Sequence, residues 1–150
     1  MNVSSVLCVC TGNICRSPYA EGLLRRDLPD VRVSSAGTGA VVGGEMPPLA
    51  ARIARRQLLD LANHRGRQIT RRILLEHDLV LVMESGQKQW VGANFPEGRG
   101  RVFLLSHWGD KTDVPDPFQQ SEQFFGEVFA RVADYVADWR DKLAKSRPPR

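Results

Sequence analysis

From Val6 to Cys10 the chain is continuously apolar, and it then breaks on Gly12-Asn13 and resumes with an arginine, a serine and a proline. A strand covered on one face alternates apolar and polar residues, so an unbroken run reads as a strand, Val3 to Cys10, buried on both faces. Burial on both faces requires helices on both sides, and the next segment supplies one. Ser17 is placed to cap it, Pro18 suits a first helical position, and Ala20, Leu23, Leu24 and Leu28 form its apolar face until Pro29-Asp30 ends it. A strand, a short loop and a helix in that order lead to a parallel sheet, because the helix carries the chain back before the next strand starts.

The pattern recurs. Residues 31–37 read as a second strand, 37–48 as a loop rich in glycine and proline, and 49–61 as a helix. A short helix near 70–76 precedes the apolar run at 78–83, which is followed by a helix over 84–93 and a fourth strand at 101–105. Two prolines stiffen the loop at 109–118, and the helix over 121–144 repeats Phe124, Phe125, Val128, Phe129, Val132, Val136 and Trp139 at helical spacing, as a core stripe does. The expected fold is α/β: a four-stranded parallel sheet with helices on both faces, and an anion-binding loop between strand 1 and helix 1. Such sheets bind ligands at the carboxyl ends of their strands, here Cys10, Met83-Glu84 and the Ser35-Ala36-Gly37 corner. The 150 residues fit one domain, 1–146, with a disordered tail at 147–150.

Composition narrows the function. The net charge of +4 comes partly from "HRGRQITRR" (64–72) and "KSRPPR" (145–150). Neither run interleaves aromatics, and no nucleic-acid module is recognisable, so no nucleic-acid partner is expected. No apolar stretch is long enough to cross a bilayer and the first residues lack the marks of a signal peptide, which together imply a cytoplasmic protein without membrane insertion. The three cysteines, Cys8, Cys10 and Cys15, are too close together to staple a fold and form no zinc pattern with the three histidines, so they read as free thiols and no metal is expected. Cys8 is a strand filler.

Cys10 and Arg16 stand in a C-x5-R arrangement followed by Ser17. The spacing alone is weak evidence, but here the cysteine ends a strand and the arginine opens a helix. A five-residue loop of Thr11, Gly12, Asn13, Ile14 and Cys15 at that junction can curl its N–H groups inward, at the positive end of the helix, into an anion cradle. A thiol at its centre is expected to ionise at neutral pH, and Arg16 is suited to grip two oxygens of a tetrahedral oxyanion. Ser17 is placed to donate to the thiolate and ease its departure. Cys15 lies across the loop as a possible redox partner that would trap Cys10 in a reversible disulfide.

"VCTGNICRSP" resembles the signature of the low-molecular-weight protein tyrosine phosphatases, and "VPDPF", about 100 residues later, resembles their second motif. The match spans nearly the whole chain. It implies phosphotyrosine hydrolysis through a phosphocysteine, with Cys10 the nucleophile, Arg16 and the amides of residues 11–16 the phosphate clamp, and Asp116 the general acid and base. It also implies a network of Asn13, Ser35 and His64 that fixes the loop, with Asn13 in a left-handed conformation, and substrate walls at Val41 and Phe118. Animal relatives carry a tryptophan at the first of these walls and tandem tyrosines at the second. No cofactor is implied. "SSAGTGAVVG", "HRGRQITRR", "HDLVLVM" and "HWGDKTDVPDP" most resemble the bacterial subgroup found with exopolysaccharide machinery, whose partners are autophosphorylating tyrosine kinases. A monomer is expected.

Three alternatives use the same first loop. Thioredoxin-coupled arsenate reductases need further downstream cysteines, and none follows Cys15. Protein-arginine phosphatases carry a small polar residue where this chain has Ile14, whose bulk narrows the pocket towards a flat phenol. A phosphotyrosine-binding module without turnover would have no need of both Cys10 and Asp116.

Overall fold

The computed structural model describes residues 2–145; the expected tail at 147–150 lies outside them. Four strands, β1 (Ser5–Cys10), β2 (Arg32–Gly37), β3 (Leu79–Val82) and β4 (Val102–Leu104), form one sheet in the order β2-β1-β3-β4, with every pairing parallel. Five helices connect or cover them: α1 (Arg16–Asp27), α2 (Pro48–Arg56), α3 (Arg71–Leu75), α4 (Ser85–Asn94) and α5 (Glu122–Lys145). Short 3-10 turns flank β4 at Pro96–Arg101 and Leu105–Trp108. The doubly covered α/β sheet is the expected one.

Every residue of β1 is buried, and the pleat divides its side chains between two cores. Val6, Cys8 and Cys10 enter a cluster with α1, α2 and α5, while Leu7 and Val9 join Leu74 of α3 and Val91 of α4 on the opposite face. On the first side Tyr19 of α1 stacks on Phe129 of α5, ring centroids 4.2 Å apart, and Trp139 is fully buried with its indole N–H donating to the Leu105 carbonyl at 2.8 Å. That donation matters, because an indole N–H buried without an acceptor costs about 1–3 kcal/mol. The chain leaves β1 towards β2 on one side and returns to β3 on the other, so the carboxyl end of β1 is the switch point of the sheet, where a crevice opens.

Two helix ends differ from expectation. Helix α1 starts at Arg16 with Cys15 in the capping position and no side-chain cap; Ser17 is its second residue and turns its hydroxyl to Cys10. Pro18 is therefore the third helical residue, where its missing N–H still falls among those a helix start leaves unpaired. Helix α2 stops at Arg56 rather than at 61. Leu58 N–H donates to the Arg55 carbonyl and Leu59 N–H to the Ala54 carbonyl, closing a Schellman turn. Leu58 takes the position usually held by glycine, at φ 63°, and is exposed, while Leu59 turns into the core.

Candidate active site

Cys10 ends β1 opposite Gly37 of β2, and this close approach explains the glycine: a Cβ at position 37 would lie 2.3 Å from the Thr11 carbonyl oxygen. The loop that follows curls back on the sulfur. Asn13 sits at φ 58°, within the left-handed region that asparagine tolerates better than most residues, and its N–H donates to Cys10 Sγ at 3.2 Å. The N–H groups of Gly12, Ile14, Cys15 and Arg16 meet no protein acceptor among the described residues. They border a pocket of about 220 Å³ lined by residues 10–16, Gly39, Val41, Asp116 and Phe118.

The Asn13 side chain is fully buried and its hydrogen bonds have a defined sense. Its Nδ2 donates to Ser17 Oγ at 2.8 Å and to Ser35 Oγ at 2.9 Å, while Oδ1 accepts the Arg67 N–H at 2.9 Å. Ser35 in turn donates to Glu21, and Ser17, whose oxygen accepts from Asn13, keeps its own hydrogen to direct at Cys10 Sγ, 2.9 Å away. The Asn13 carbonyl can only accept, so His64 Nε2, 2.6 Å from it, carries the proton. Asn13, Ser17, Ser35 and His64 thus meet around one residue, and Ser17 and the Asn13 N–H both address the sulfur.

Arg16 is 2% exposed, yet it is a cation. A guanidinium buried without a partner is strongly destabilising. Its Nη1 donates to Glu84 Oε2 at 2.6 Å and to the Val114 carbonyl at 2.7 Å, while Nη2 lies 3.9 Å from Asp116 Oδ2. One edge of the fork is therefore fixed from behind and the other faces the pocket. Asp116 is half exposed, and its Oδ1 accepts the N–H of Phe118. Val41 and Phe118 stand at the rim, 50% and 44% exposed, whereas Ile14 is nearly buried in the wall. Cys8, Cys10 and Cys15 are free thiols. Burial, reinforced by the negative charge of Cys10 and Asp116, pushes the Cys15 thiol up to about 12, so it stays protonated at neutral pH.

Sequence reasoning placed Glu84 at a strand end without giving it a role, and missed Gln87 altogether. An acidic residue at the carboxyl end of an apolar run pointed to the first, and the Glu84-x-x-Gln87 spacing of a helix capping box pointed to the second as a helix start only, not to its tie to the loop. No cluster of His, Cys, Asp and Glu among the described residues is arranged to hold a metal, and no described helix is long and apolar enough to cross a membrane.

Comparison with known proteins identifies relatives of the whole chain. A family model described as low molecular weight phosphotyrosine protein phosphatase matches residues 5–148. The low molecular weight protein-tyrosine-phosphatase Wzb of Escherichia coli strain K12 is 40% identical over 140 residues, 93% of this chain and 95% of that one. The structure of the tyrosine phosphatase Wzb from Escherichia coli K30 in complex with sulfate superposes with a TM-score of 0.91 at 40% identity, covering 94% of this chain and 99% of that one. The YwlE arginine phosphatase from Geobacillus stearothermophilus superposes with a TM-score of 0.88 at 30% identity, covering 97% and 99%. A match over nearly the full length, in sequence and in backbone alike, means that this chain belongs to the low molecular weight phosphotyrosine protein phosphatase family.

Proposed function

We propose that the protein hydrolyses phosphotyrosine by two displacements at phosphorus, with Cys10, Arg16 and Asp116 in the central roles. The observation that carries this reading is the meeting of a cysteine sulfur, free loop amides, a back-anchored guanidinium and an exposed carboxylate around one anion-sized pocket. Sulfate, bound in the Wzb relative, has the tetrahedral shape of the phosphoryl group that the pocket would take.

The Cys10 thiolate attacks phosphorus in line; a sulfur–phosphorus bond forms and the bond to the phenolic oxygen breaks. The amides of residues 11–16 and the free edge of Arg16 hold the three equatorial oxygens as charge redistributes. Asp116 gives its proton to the departing phenolate. Its carboxylate then takes a proton from the attacking water, the sulfur–phosphorus bond breaks and the thiolate returns, steadied by the Ser17 hydroxyl. Asn13, Ser35 and His64 hold the loop in shape, and Val41 and Phe118 flank the aromatic ring. Cys15, a free thiol of the same loop, is the proposed redox partner that captures an oxidised Cys10 as a disulfide.

The substrate we infer is a phosphotyrosine protein, specifically an autophosphorylated bacterial tyrosine kinase of polysaccharide export, met in the cytoplasm by a monomeric enzyme. Support comes from the bacterial subgroup that the sequence resembles. Phosphoarginine is the second reading, favoured by the backbone likeness to YwlE; the bulk of Ile14 in the pocket wall supports tyrosine instead.

Turnover of phosphotyrosine and phosphoarginine peptides decides between them. With aryl phosphates and a chelator present, Cys10→Ser is expected to lose turnover while still binding vanadate. Asp116→Ala is expected to lose 10²- to 10⁴-fold, as removal of a general acid does, on poor phenol leaving groups and far less on activated ones. Equal losses on both substrates would take Asp116 out of the acid role.

A further inference from the structure

Gln87, the third residue of α4, is 4% exposed, and its amide makes four hydrogen bonds. Oε1 accepts the N–H groups of Met83 and Glu84, each at 2.9 Å. Nε2 donates to Glu84 Oε2 and to Thr11 Oγ1, each at 3.0 Å. Two of the partners are backbone donors and one is a carboxylate, so the amide fits in one orientation only: reversed, it would set its NH2 against two N–H groups and its oxygen against Glu84. Glu84 Oε2 is the same oxygen that takes Arg16 Nη1 at 2.6 Å. A continuous chain therefore runs from Thr11, the first residue of the loop, through Gln87 and Glu84 to Arg16, which opens α1 directly after the loop. It ends at the Val114 carbonyl, itself anchored by the Val114 N–H to the Met83 carbonyl at 2.9 Å.

We propose that Gln87 is a positioning residue for this reaction: its amide braces the two ends of the phosphate loop against each other and fixes the direction in which Glu84 points the Arg16 guanidinium. The proposal rests on the phosphatase reading given above. Without the Nε2 donation, the Glu84 carboxylate loses the contact opposing the pull of Arg16 and Thr11 loses its tie to α4, so the guanidinium and the amides no longer share one fixed geometry. The two arms of the side chain separate the possible roles. The Oε1 arm holds the start of α4 and serves stability. The Nε2 arm reaches the loop and serves catalysis.

Gln87→Leu removes both arms. Gln87→Glu keeps an oxygen for the helix N–H groups and sets a carboxylate oxygen against Glu84 Oε2 where a donor stood, so repulsion replaces the brace while the helix contacts stay. With an aryl phosphate substrate, both variants are expected to lower kcat about 5- to 30-fold, within the range that small misplacements in a site produce, and to weaken inhibition by inorganic phosphate several-fold. Only Gln87→Leu loses the helix contacts entirely. Combined with Glu84→Gln, Gln87→Leu is expected to cost less than twofold beyond the worse single change, because both break one chain. Wild-type kcat and phosphate inhibition in a folded Gln87→Glu protein would overturn the brace, as would Gln87→Leu losses that multiply fully with those of Glu84→Gln. Failure of the underlying reading looks different: the wild-type protein itself would leave the aryl phosphate intact.

Discussion

Asn13 concentrates more of the site than any other residue, and two physical demands meet in it: a left-handed backbone and a buried amide with three side-chain hydrogen bonds. Two substitutions separate them. Asn13→Ala loses the amide and puts a Cβ in the left-handed region, whereas Asn13→Gly loses the amide but relaxes the backbone. Both are expected to destabilise the fold by about 2–3 kcal/mol through unpaired Ser17, Ser35 and Arg67 groups. Alanine should be the worse by about 1 kcal/mol. Denaturant unfolding of the two variants measures the difference, and equal stabilities would mean that the backbone carries no strain at this position. Cys10 and Arg16 could be picked out by number because their chemistry restricts the residue types at that spacing, and Asp116 because its motif resembles the family's second one. The ties of Glu84 to Arg16 and of Gln87 to Thr11 could not, since glutamate and glutamine cap many helices and only the approach of β3 to β1 gives these two a task beyond their own helix.

At the scale of elements, the joint between β2 and the loop depends on Gly37, where a methyl group would meet the Thr11 carbonyl at 2.3 Å. Gly126, inside α5, has open space around its missing Cβ. The same change should act in opposite directions at the two sites. Gly37→Ala is expected to lower phosphate affinity and kcat at least tenfold by pushing Thr11 away from β2, while Gly126→Ala is expected to add about 0.5–1 kcal/mol of stability with activity unchanged. Thermal denaturation alongside aryl phosphate turnover checks both. The strands were readable because an apolar run has few other ways to hide, and α5 because its stripe repeats over many turns. The end of α2 was not: the Schellman turn uses Leu58 where a glycine would have announced it, and burial of Leu59 sets the stop. Ser17 misled for a related reason, since a serine before a proline caps helices well in isolation and here the cysteine sulfur claims its hydroxyl.

Over the whole molecule, two cores on opposite faces of one sheet lock β1 in place, and His77 ties one of them to a sheet edge. The ring is buried; Nδ1 donates to the Ile73 carbonyl and Nε2 lies 2.9 Å from Ser34 Oγ, whose hydroxyl hydrogen the neutral ring accepts. Burial holds its pKa below the usual histidine value, despite the raising influence of the Ile73 carbonyl. The unfolded chain protonates near pH 6.5 and the folded one only below that, so the unfolded state binds the extra proton first. Stability present above about pH 6.5 is therefore lost as pH falls. His107, lowered chiefly by burial, acts in the same direction. The unfolding free energy is expected to decline between pH 7.5 and 5.5, and His77→Gln should flatten that decline. An identical slope in the variant would remove His77 from the effect.

By itself the sequence determined the order of strands and helices, the parallel sheet and the cysteine and arginine proposed as nucleophile and clamp, because hydrophobic period, turn chemistry and a reactive thiol beside an arginine are local properties; the proposed acid, Asp116, came from resemblance of its motif to the family's. Only the tertiary structure decided which carboxylate holds Arg16, how Asn13 joins Ser17, Ser35 and His64, and that Gln87 spans the loop. Those contacts join residues up to 76 positions apart, and they exist because the crossover from β2 to β3 brings the carboxyl ends of three strands together at one end of the sheet.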